Sequence, residues 1–180
     1  FRNFLVKYPE ANQMHKRMLM VSDKVHRLLK GKPAEGDLGR ALDELWKGQS
    51  NCAYWHGWFG GIYLKHLREA VYHHLLAAER IVERMVHRGP YLDVAHFDFD
   101  RDGHEEIVVS SRSLTTFIAP RSGGAILELD FIPFTANLTD VMTRQKEPYH
   151  PTVKDKEIIY DPYRRLSWLD HFFSEATTLE

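Results

Sequence analysis

Apolar residues in the first half of the chain recur at helical intervals. After Pro9, the residues Met14, Met18, Val21, Val25 and Leu28 fall on one face, which predicts an amphipathic helix stopped by Gly31 and Pro33. A shorter helix is expected after Asp37, an N-cap candidate, burying Leu38, Leu42, Leu45 and Trp46. A third and longer stripe runs through Leu64, Leu67, Val71, Leu75, Ala78, Val82 and Met85, with Gly89-Pro90 as its end. Glu44, Glu69, Glu79 and Glu83 read as solvated positions on these helices. After Pro90 the period changes. Ile107–Val109, 114–119 and 125–132 are β-branched or alternating, separated by turn residues, and predict an antiparallel sheet. A short helix is expected near 166–173.

The expected fold class is therefore α+β: an N-terminal three-helix domain over residues 1–90, then the antiparallel strands of a truncated β-sandwich over residues 91–180. The opening Phe1-Arg2-Asn3-Phe4 lacks an initiator Met and starts mid-pattern, so the chain reads as a piece of a longer protein. A truncated sheet should leave open edges and apolar surface, and self-association is expected of the isolated piece.

Charge narrows the classes of partner. Lys plus Arg number 24 and Asp plus Glu 25, a balance that argues against nucleic acid. No apolar run approaches the roughly 18 residues of a membrane span, and the opening residues do not read as a signal peptide. The single cysteine, Cys52, cannot form an internal disulfide and fits a reducing compartment, so a cytoplasmic location is expected. It lacks an adjacent base and is not read as a nucleophile. The histidines, including the His73-His74 pair and His15, read as helix-surface or boundary residues.

Two segments carry candidate chemistry. The first is the glycine-flanked run Gly48 to Gly61, which holds Asn51, Tyr54, Trp55, His56, Trp58 and Phe59. Aromatic faces with a polar rim suit a sugar ring and its hydroxyls. The competing reading is a buried hinge in which Trp55 and Trp58 pack and Asn51 caps a turn. The second is Asp98-Phe99-Asp100-Arg101-Asp102-Gly103-His104-Glu105-Glu106. Alternate carboxylates followed by glycine begin a calcium loop, with Asp98, Asp100, Asp102, the His104 carbonyl and Glu106 as ligands. Val109 stands where an EF-hand has its bidentate glutamate, so a structural, strand-associated calcium site is expected instead. The alternative is an Asp-rich turn whose side chains bond the backbone.

Gln49-Ser50-Asn51-Cys52-Ala53-Tyr54-Trp55-His56-Gly57 resembles the fifth conserved sequence region of glycoside hydrolase family 57, in its 4-α-glucanotransferases and α-amylases. Phe4 to Asn12 and His15 to Leu19 resemble the start of that family's central helical domain, and Phe59 to Arg68 its continuation. Asp98 to Glu106, Gly123-Gly124, Glu128 to Asp130 and Glu147 to His150 resemble the opening of its C-terminal β-sandwich. The resemblance implies a retaining enzyme with an N-terminal (β/α)7 barrel that holds a Glu nucleophile and an Asp acid/base about 5–5.5 Å apart. Neither carboxylate belongs to this chain, so it has no catalytic residue and should be inactive alone. The resemblance implies an α-1,4-glucan or maltooligosaccharide substrate, Trp55 stacking on a glucosyl unit, and Tyr54, His56 and Asn51 as its neighbours. The implied partners are the barrel and the rest of the sandwich. Many relatives have Asp where this chain has Cys52, which weakens any polar contact expected there. Transfer to a second sugar is favoured over hydrolysis. The rival reading is a calcium-stabilised carbohydrate-binding or structural module without a catalytic partner.

Overall fold

A computed structural model describes residues 1–57, 59–150, 158–170 and 174–175. Four helices come first: α1 (Arg2–Lys7), α2 (Pro9–Leu29), α3 (Gly36–Gly48) and α4 (Lys65–Val86). Five strands follow: β1 (Leu92–Phe97), β2 (Glu106–Ser111), β3 (Leu114–Ala119), β4 (Ala125–Phe131) and β5 (Ala136–Asn137). They form one antiparallel sheet in sequence order. The helices-then-strands α+β architecture agrees with the pattern of the sequence.

The three long helices match the three apolar stripes. Helix α2 starts with Pro9 at its first position, where a missing N–H costs nothing, and Gly31 follows its end with φ +74°. Asp37 does not cap α3. Glu35 takes that place, and Asp37 lies in the first turn beside Arg40. Helix α4 ends at Val86, three residues before Gly89. Helix α1 went unpredicted because six residues show little periodicity. It stops at Tyr8, whose extended backbone is imposed by the following proline. Met14, Val21, Val25, Ala41, Leu45, Val71, Leu75 and Ala78 form the helical core. Among the described residues, no helix is long and apolar enough to cross a membrane.

Strands β2, β3 and β4 occupy the predicted segments, and β1 and β5 add to them. The register between β3 and β4 shifts at Phe117/Ile118. The expected C-terminal helix is absent from its described part. Ser167 instead bridges to Ile126, and Trp168 adopts φ +58°; residues 171–173 lie outside the described residues.

The sheet packs on α2 and α4 through buried charge. Arg17 is fully buried. Its Nε donates to Glu128 Oε1 at 2.8 Å, its Nη1 and Nη2 to Glu79 at 3.0 and 2.5 Å, and its Nη2 also to Asp130 Oδ2 at 3.0 Å. The guanidinium lies 5.1 Å from the Phe117 ring centroid. Lys24 Nζ bonds Glu79 at 2.6 Å, and Gln13 Nε2 bonds Glu128 at 3.0 Å. Glu79 is thus not solvated, contrary to the sequence reading. Burial alone would raise its pKa, but Arg17 and Lys24 hold it well below the usual carboxylate range. Asp130 moves the other way, because burial and the adjacent Glu128 outweigh Arg17.

Candidate functional site

The aromatic run forms a loop between α3 and α4, with short 3-10 turns at Asn51–Ala53 and Gly61–Tyr63. Tyr54 is its anchor. The ring joins the helical core, and its hydroxyl donates to the Gly48 carbonyl at 2.6 Å. The loop closes on itself where the Ile62 amide donates to the Trp55 carbonyl at 2.8 Å. Gly61 is required there, since its φ is +47° and a Cβ would lie 1.9 Å from the Trp55 carbonyl oxygen. Gly57 leaves room for the Trp55 indole, which a Cβ would approach to 2.6 Å.

With its backbone fixed, Trp55 projects outward and remains 42% exposed. It borders an open groove of about 340 Å³ with Asn51, Tyr54, Gln49, Phe1, His15 and Met18. The groove therefore combines an aromatic wall with carboxamides and an imidazole. Burial, with Lys16 adding to it, lowers the His15 pKa, so that ring is neutral near pH 7 and able both to donate and to accept. The sequence reading assigns no site role to Gln49 and takes His15 for a helix-surface or boundary residue. His15 lies on α2, and only packing brings its ring to 6.3 Å from Tyr54.

His56 is not among the groove-lining residues. Its ring centroid lies 4.8 Å from that of Tyr63 and 5.7 Å from that of Tyr149. This second aromatic group surrounds the buried Glu147, which accepts from Lys7 Nζ, Tyr8 Oη and Tyr63 Oη, each at 2.6 Å. Burial would raise the Glu147 pKa, but these three donors hold it below its ordinary value. The structure thus brings Trp55, Tyr54 and Asn51 together and turns His56 toward the Glu147 cluster. The predicted packing of Trp58 lies outside the described residues.

The acidic segment is the connection between β1 and β2. Carboxylate oxygens of Asp98, Asp100 and Glu106 all lie within 4.8 Å of one another. The Asp102 carboxylate is not in this group, and the His104 side chain is turned to another partner. The Asp102 amide donates to Asp98 and Asp100 at 3.0 and 3.1 Å, and its own carboxylate accepts from the His104 amide at 2.8 Å. The His104 imidazole meets Arg121 at 3.5 Å. Burial, then repulsion from Asp102, raises the Asp100 pKa; burial also raises that of Glu106, despite the bond it accepts from the Phe99 amide at 2.8 Å. Three hard oxygen donors held this close, two of them destabilised as carboxylates by burial, suit a cation such as calcium.

Comparison with known proteins shows the family of the chain. Residues 1–82 match the family model "Alpha-amylase/4-alpha-glucanotransferase, middle domain", and residues 98–157 match "Alpha-amylase/4-alpha-glucanotransferase, C-terminal". The whole chain is 40% identical to alpha-amylase 1 of Dictyoglomus thermophilum and 33% identical to 4-alpha-glucanotransferase of Thermococcus kodakarensis, spanning 28% and 29% of their lengths. The crystal structure of 4-alpha-glucanotransferase from Thermococcus litoralis superposes with a TM-score of 0.75 at 38% identity, covering 92% of this chain and 24% of that one. The chain therefore spans little more than a quarter of the curated relatives it matches. It belongs to the α-amylase/4-α-glucanotransferase family, of which it carries middle-domain and C-terminal sequence.

Proposed function

We propose that this chain is the non-catalytic portion of an α-1,4-glucan-processing enzyme, a retaining 4-α-glucanotransferase or α-amylase, and that its aromatic loop binds the glucan. The supporting observation is Trp55. It is an indole held outward by a closed glycine loop, beside a groove whose rim offers Asn51, Gln49 and His15. An aliphatic core residue would need none of this, whereas a glucosyl ring needs an apolar face with polar groups at its edge. The relatives bear the names of both enzyme types, so the acceptor, water or a second sugar, is an open arm of the test. The nucleophile and the acid/base are assigned to the remainder of the full-length protein, and the 180-residue chain alone is inactive on this reading. Asp98, Asp100 and Glu106 are assigned to a structural calcium ion.

The test is turnover of maltotriose by the full-length protein and its Trp55→Ala variant. Loss of one aromatic stacking contact, worth about 0.5–1.5 kcal/mol, lowers kcat/KM roughly twofold to twelvefold while the fold is kept. Longer oligosaccharides among the products identify transfer, and glucose and maltose alone identify hydrolysis. A variant equal to its parent would make the loop an interdomain packing element.

A further inference from the structure

Cations line the corner where the end of α4 meets the β2–β3 hairpin. Arg80, Arg84 and Arg88 recur every fourth residue, the last just past the helix end, and Arg112 sits in the hairpin turn. All four line one cavity of about 250 Å³, together with Lys24 and Tyr91. Two acids share this cavity, and both are already matched. Glu79 is bonded to Arg17 and Lys24, and Glu83 to Lys24 and His87. Among the described residues, Arg84, Arg88 and Arg112 form no salt bridge. Arg80 gives one Nη to the Pro133 carbonyl at 3.0 Å, while its Nε is buried with no partner among the described residues.

A buried guanidinium N–H without an acceptor is costly, and the exposed Arg84, Arg88 and Arg112 add positive charge at the cavity's rim that no described acid pairs. Tyr91, stacked on His87 at 3.9 Å between centroids, supplies an apolar wall, and Thr115 and Ser110 add hydroxyls. The cavity is smaller than the roughly 300–1,000 Å³ of sites for drug-sized ligands, which favours a compact anion.

We propose that this pocket binds the phosphate group of a small molecule, either free phosphate or a phosphorylated monosaccharide. Guanidinium forks match phosphate oxygens pairwise, and a tetrahedral dianion can take donors from α4 on one side and from the hairpin on the other. The pocket shares no lining residue with the Trp55 groove, so it does not depend on the glucan reading.

Calorimetry on the full-length protein at fixed ionic strength tests it, with inorganic phosphate, glucose 6-phosphate and glucose as probes. Saturable binding of a phosphate probe is expected with Kd on the order of 1 mM or tighter. It should weaken at least about tenfold in the Arg84→Ala/Arg112→Ala double variant, and stay unchanged in Arg27→Ala, whose partner on α2 is Asp23. Equal binding of the two phosphates names free phosphate as the ligand, and a preference for the ester adds the sugar. No saturable binding of either, equal binding of glucose, or an unaltered Kd in the double variant would overturn the proposal.

Discussion

Replacing Arg17 by Met tests whether the helix–sheet junction depends on buried charge. The side chain makes four N–H···O bonds to three carboxylates, all buried. Its loss does not strand the three equally. Glu79 keeps Lys24, and Glu128 keeps Gln13, while burial and the adjacent Glu128 already disfavour the charged form of Asp130. The uncompensated charge is therefore mainly that on Glu128 with part of that on Glu79, and breaking such a buried network costs about 3–5 kcal/mol. Hydrogen exchange in the full-length protein reads this locally. Protection of the α2 and β4 amides should fall by about a hundredfold to a few thousandfold, at 1.4 kcal/mol per decade. The effect should depend on pH. In the parent, Glu79 titrates below its unfolded value of about 4.3, so its contribution is fully present above that value and is lost as pH falls from there through the lower folded value. In the variant the same group loses its main cation, its folded pKa rises, and the penalty grows with pH. The loss of protection should thus be no smaller at pH 8 than at pH 5.5. A change under tenfold, or a larger loss at the acid end, would refute the reasoning. Adding Glu128→Gln to the variant should restore part of the protection.

The other predictions concern the loop, the acidic turn and the sheet edge. Gly61→Ala puts a methyl into the Trp55 carbonyl at φ +47°, so the loop must move. We expect a cost of about 1–3 kcal/mol and a shifted tryptophan emission, and an unchanged spectrum would contradict the closure described above. Millimolar calcium should raise the melting temperature of the full-length protein, and Asp98→Asn should abolish the rise; a parent indifferent to calcium and to chelator would remove the metal assignment. Strand β1 leaves Leu92 and Val94 exposed on an outer strand, so the isolated chain should self-associate, and Val94→Lys should reduce it. A monomer by light scattering would show that edge to be harmless.

What was legible in the sequence was what depends on local period. Met14, Val21 and Val25, or Val71, Leu75 and Ala78, meet their core partners because each stripe lies on one face. Strand β1 was missed because Leu92 and Val94 alternate correctly but point outward. Glu79 was misread for a different reason. A carboxylate in an amphipathic helix looks solvated until the arginine of another helix is placed against it, and that placement is tertiary. The acids of β4 held a weak signal. Glu128 and Asp130 interrupt a strand that is otherwise Ala, Ile, Leu and Phe, and charge inside such a strand calls for a buried partner.

The candidate site shows the same division at finer scale. Asn51, Tyr54, Trp55 and His56 are neighbours in sequence, yet a tight turn need not aim neighbours at one target. Tyr54 goes inward to the core and Trp55 outward to the groove, while His56 goes sideways to Tyr63 and Tyr149. The same turn that exposes Trp55 thus ties the loop to a residue near the end of the chain. Glu147 fixes Tyr63 and Tyr8, Tyr63 follows Ile62 directly, and Ile62 holds the Trp55 carbonyl. Orientation of the indole therefore rests on contacts more than 80 residues away in sequence, which no motif of nine residues contains.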